Sequence, residues 1–88
     1  MARRIRHKDI AGALADAGHQ PSEWIDGDWD PGFRTAQSGP RLVHVYYDGP
    51  GEADQLGIYT EVLRGLGYAV APEQQERGGR RRLAVTLP

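Results

Sequence analysis

Cysteine is absent from this chain of 88 residues. Disulfides, thiolate zinc sites and cysteine nucleophiles are therefore excluded, and the expected compartment is a reducing cytoplasm. Lysine occurs once, as Lys8, and every other basic side chain apart from histidine is arginine. With the abundance of alanine, glycine and proline, this bias points to a GC-rich bacterial genome. Arginine number alone therefore says little about guanidinium chemistry. No apolar run approaches the ~20 residues of a membrane span. The basic start leads into an amphipathic stretch, not the apolar core of a signal peptide. A dominant charge is missing too. The formal net charge is -1, so no global field draws the chain to nucleic acid.

Catalytic signatures are also lacking. There is no Gly-x-Ser-x-Gly elbow, Walker loop or dinucleotide fingerprint. His7, His19 and His44 do not stand at metal-ligand spacing from one another. The expectation is a non-enzymatic protein with no cofactor and no metal.

What is present describes one small domain. Hydrophobic residues make up 39% and charged residues 26%, ordinary globular values, and a chain this long buries roughly 60–65% of its unfolded surface. Ile10, Ala13, Leu14 and Ala17 fall on one face of a helical repeat, predicting a helix over 8–17 that ends at Gly18 before Pro21. Strands are expected at 33–37 and 41–47, joined through Ser38, Gly39 and Pro40. The turn DGPG at 48–51 then leads into a second helix over 52–66, with Leu56, Tyr59, Val62, Leu63 and Leu66 as its apolar stripe. Arg64 points away from that stripe. Gly67 ends this helix, and strands follow at 68–72 and 81–87, separated by a polar loop over 73–79. In the last strand Leu83, Val85 and Leu87 alternate with Arg82, Ala84 and Thr86.

The predicted fold class is α+β: a two-layer α-β-β-α-β-β arrangement, with one mostly antiparallel four-stranded sheet and two helices packed on one face. Residues 1–7 are expected to form a basic flexible arm and 8–88 the domain. If strands 41–47 and 68–72 run parallel, the crossover between them should be right-handed.

Charge is segregated along the chain. Arg3, Arg4, Arg6 and Lys8 crowd the start, six acids and no Lys or Arg occupy 9–30, and Arg77, Arg80, Arg81 and Arg82 gather near the end. Clusters of this kind hold backbone phosphates. Arg3, Arg4, Arg6, Lys8, Arg80, Arg81 and Arg82 are thus the candidate nucleic-acid site. The second candidate is the sheet face away from the helices. Alternation along strand 41–47 separates two rows, and if the helices form a single layer, Val43, Val45 and Tyr47 would lie under it and Leu42, His44 and Tyr46 outward. That outer face can stack bases or cover a second subunit, and a protein partner or a homodimer is expected ahead of nucleic acid. Trp24 and Trp29, in the acidic loop EWIDGDWDPG, complete the candidate interaction surface. The alternate aspartates of that loop depart from an EF-hand, because Pro31 and Gln37 stand where glycine and glutamate are required.

The helix-first order and His44 within LVHVYY resemble the small dsRBD-like toxins of the HicA type, which are RNases with one strand histidine. The Gly-Ser-His context of those proteins is absent, and the C-terminal hairpin is additional. The resemblance implies a small RNase acting through His44. The helix over 52–66 followed by a hairpin also invites comparison with a winged helix, but a strand stands where the preceding helix would be.

Overall fold

The computed structural model describes residues 4–22, 24–25, 27–29, 31–74 and 80–88. Among these, the elements follow the expected order. They are α1 (His7–Asp16), a two-stranded ribbon of β1 (Trp24–Ile25) and β2 (Asp28–Trp29), β3 (Gly32–Gly39), β4 (Leu42–Asp48), α2 (Glu52–Gly65), β5 (Ala69–Gln74) and β6 (Arg81–Thr86). β3 to β6 form one sheet in the order β3-β4-β6-β5, every neighbour antiparallel. β4 and β5 are therefore parallel to each other with β6 inserted between them, and α2 carries the chain across that gap. No described helix is long and apolar enough to cross a membrane.

Both helices end in the same way. Gly18 and Gly67 adopt left-handed φ values of 93° and 97°. The N–H of each glycine and that of the following residue then bond back to carbonyls of the last turn. Gly18 N reaches Ala15 O and His19 N reaches Leu14 O; Gly67 N reaches Arg64 O and Tyr68 N reaches Leu63 O. This is the Schellman arrangement, which satisfies terminal carbonyls and is open chiefly to glycine.

The core lies between the sheet and the helices. Ile10 and Leu14 from α1 and Leu56, Tyr59 and Leu63 from α2 meet Phe33, Val43, Val45, Val70, Leu83 and Val85 from the strands. Tyr59 sits at its centre, with the rings of His19, Phe33 and Tyr47 at 4.9, 6.1 and 6.2 Å. Burial, reinforced by Tyr47, pushes its phenol pKa up to about 12.

Four expectations need correction. The arm is docked from Ile5, which is 2% exposed and donates its N–H to the Pro40 carbonyl; residues 1–3 lie outside the described chain. Leu66 leaves the core stripe and is 59% exposed, because the helix closes at Gly65 and the terminal turn carries Leu66 outward. Arg64 does not simply point away, since its guanidinium donates to the Val70 carbonyl at 2.8 Å. Finally, β5 continues past Pro72 to Gln74. Proline is tolerated there because β5 is an edge strand with only β6 beside it. The rest of the expected loop, 75–79 with Arg77, lies outside the described residues.

The opposite edge is closed by the chain itself. Residues 20–22 lie along β3, Phe33 N bonding Gln20 O and Ser22 N bonding Phe33 O. The approach is so tight that a Cβ on Gly32 would stand 2.5–2.6 Å from the backbone of Gln20, Pro21 and Ser22.

Candidate functional site: the open face of the sheet

Residues paired directly across antiparallel strands share a face, so the register defines the side turned away from the helices. Leu42, His44, Tyr46 and Asp48 occupy it on β4. Ala36 and Ala84 flank His44, and Ala71 lies beyond Ala84. Arg34 stands opposite Tyr46, and Arg82 opposite Glu73. The face is therefore graded along the strands: small and apolar near Leu42, crowded with charge near Asp48.

The charged end is organised around Tyr46. The guanidinium groups of Arg34 and Arg80 lie 5.1 and 5.6 Å from its ring centre, a cation–π distance, and Arg82 donates to its hydroxyl at 3.4 Å. Each of the three arginines also has a carboxylate. Arg80 meets Asp48 at 2.8 Å and Glu52 at 3.5 Å, Arg34 Nε lies 3.2 Å from Asp48, and Arg82 Nε donates to Glu73 at 3.0 Å. The bonds from Arg82 to Tyr46 and then Glu73 raise its pKa further, holding it charged. Arg80 additionally donates to the Tyr47 carbonyl, anchoring the start of β6 to the end of β4.

His44 joins the two ends. Sequence alternation puts it outward, and it does lie on the open face, but the expected exposed histidine is only 7% exposed. Ser38, at the register shift between Gln37 and Gly39, bonds His44 Nδ1 at 2.5 Å. Glu73 Oε1 stands 3.4 Å from Nε2. Both ring nitrogens are thus engaged, as a polar group with little access to water requires. Sequence reading missed Ser38, Glu73, Arg34 and Asp48 as members of this group. The alternation that placed Tyr46 outward could have flagged Asp48; nothing local marks Ser38 or Glu73.

The two basic clusters do not meet. Arg4 and Arg6 border a recess with Gln37, Gly39 and Pro40 at the β3–β4 turn. Arg80 and Arg82 lie at the other end of β4, whose seven residues span about 20 Å. Arg81 turns to the helix side, where it lines a cleft of about 480 Å³ between α2 and β5–β6 with Arg64, Thr60 and Pro72. Lys8 lies on α1 facing α2. Arg3, and the side chains of Trp24 and Trp29, lie outside what is described. Among the described residues no group of acids and histidines could hold a metal ion. Compared with known protein families, characterised proteins and solved structures, the chain matches none.

Proposed function

We propose that this is a non-enzymatic protein-interaction module of the cytoplasm that recognises a partner protein through the open face of its sheet. The observation that carries the reading is the internal neutrality of that face: Arg34, Arg80 and Arg82 are matched by Asp48, Glu52 and Glu73. Phosphate binding draws its affinity from unpaired cations that release counterions, and these arginines would first have to leave their carboxylates. A protein partner needs the opposite. Tyrosine and arginine dominate interface hot spots, and side chains already held in place lose less entropy on binding. Tyr46 between three fixed arginines, beside the low apolar ground of Leu42, Ala36 and Ala84, has that form. His44, the residue an RNase would need at its substrate, is enclosed by Ser38 and Glu73 instead.

A photo-crosslinking residue at Leu42 tests this directly in the producing cell. Adducts to a partner protein that disappear with Tyr46→Ala are the expected result. Adducts to RNA or DNA, with affinity that falls as salt rises and whose salt slope flattens in an Arg80→Ala/Arg82→Ala variant, would transfer the function to nucleic acid.

A further inference from the structure

The helical layer carries a second surface, independent of the sheet face. Among the described residues the exposed large hydrophobics are Ile58, at 44%, and Leu66. They lie one turn either side of half-buried Val62 on a single stripe of α2. Val62, Gly65 and Leu66 form one wall of a groove whose other wall is α1, with Lys8, Asp9, Gly12, Asp16 and Ala17. Leu66 and half-buried Val62 thus leave apolar surface open in a groove flanked by charged side chains.

The charges on α1 indicate what covers it. Lys8, Gly12 and Asp16 follow one i, i+4 row along the groove. Neither Lys8 nor Asp16 forms an ion pair among the described residues. A two-fold axis through Gly12 turns this row onto itself with its direction reversed, bringing Lys8 of each copy to Asp16 of the other. Helices whose i±4 rows interdigitate cross at about −50°, which keeps the two rows parallel. At the crossing point a side chain would hold the helices apart, and there the sequence has glycine. Nothing within the chain requires it: a Cβ on Gly12 would meet no atom within 4 Å, and glycine weakens a helix interior relative to alanine.

We propose that the chain forms a two-fold homodimer through its helical layer, α1 crossing its copy at Gly12 with Leu66 and Val62 of both subunits covered, so that the two open sheet faces point outward. Isologous contacts of this kind are the commonest way soluble chains pair.

Analytical ultracentrifugation of the full chain over a micromolar concentration series tests it. A mass of twice 9.7 kDa is expected. Lys8→Glu and Asp16→Lys should each weaken the dimer about tenfold, since two symmetric ion pairs become repulsions, and the Lys8→Glu/Asp16→Lys double variant should restore it. Gly12→Leu should give a monomer with an unchanged or raised melting temperature, which separates lost contact from lost folding. A wild-type monomer throughout the series overturns the proposal. So does a dimer indifferent to Lys8 and Asp16 but abolished by Leu42→Asp, because that dimer would use the sheet face.

Discussion

The two faces of the sheet are made from alternate residues of the same four strands, yet they are held by different forces. On the inner face Val43, Val45, Leu83 and Val85 pack against Leu56, Tyr59 and Leu63 with no charge among them. On the outer face one step along β4 and β6 gives His44, Tyr46 and Arg82, joined by the polar contact of His44 with Glu73, the Arg82–Glu73 ion pair and a cation–π cluster on Tyr46. Burial of apolar area supplies most folding free energy, whereas exposed ion pairs contribute about 0–1 kcal/mol each. The inner face therefore supplies most of the stability, and the exposed arginines of the outer one, Arg34 and Arg80, can vary without unfolding it, whereas the enclosed His44 and Asp48 are less free to change. The recognition role proposed for the outer face is compatible with that division.

The comparison breaks if an outer truncation proves as harmful as an inner one. Leu63→Ala should lower stability by about 3–4 kcal/mol in urea denaturation, a large share of what a domain of this size has. The next effect is one of pH. Tyr59 ionises near pH 10 when unfolded and near 12 when folded. The folded chain thus holds the proton more tightly. Its contribution is intact below pH 10 and is lost as pH rises through 12. About 2–3 kcal/mol of stability should disappear across that window, and less in Tyr59→Phe; equal alkaline loss in both would assign it to other groups. Gly32→Ala tests the edge between the faces. With backbone atoms 2.5–2.6 Å from the added carbon, residues 20–22 must lift from β3, and thermal unfolding should report about 1–3 kcal/mol lost. Smallest of all, Leu42→Ala should cost below ~1 kcal/mol, because the side chain is only half covered. A loss matching that of Leu63→Ala would mean the outer face is also core.

Much of this contrast was legible in the residues. Alternation in β4 separated Val43, Val45 and Tyr47 from Leu42, His44 and Tyr46 without saying which row is covered; the structure puts Val43 and Val45 in the core, and the 3.6-residue stripe of α2 marked Leu56, Tyr59 and Leu63. What escaped depended on distant partners or on chain direction. His44 reads as exposed because its cover comes from Ser38, in a bulge, and from Glu73, on another strand. The strand at 68–72 reads as ending where the polar stretch 73–79 begins, and the position of β5 on the sheet edge lets it run on through Pro72 to Gln74. Ile5 sits in a basic run without any periodic context, so nothing local announces its burial. Leu66 fits the helical period but falls where the Schellman turn has already ended the helix. The charge clusters were plain in sequence; their separation by the length of β4 was not.

The treatment of the two sheet edges has a consequence for how the protein can assemble. Residues 20–22 occupy β3 at Phe33, and on β5 Pro72 offers no N–H while Arg64 holds the Val70 carbonyl. An unguarded edge is a template on which chain adds to chain without limit. Here both templates are obstructed, β3 at Phe33 and β5 at Val70 and Pro72, and the two-fold contact proposed above would close after one addition. Growth that terminates is compatible with high concentration; growth that propagates is not. Fibres that elongate from the folded protein in a seeded thioflavin assay would contradict this. Their absence at high concentration would mark the edges as a built-in stop on polymerisation.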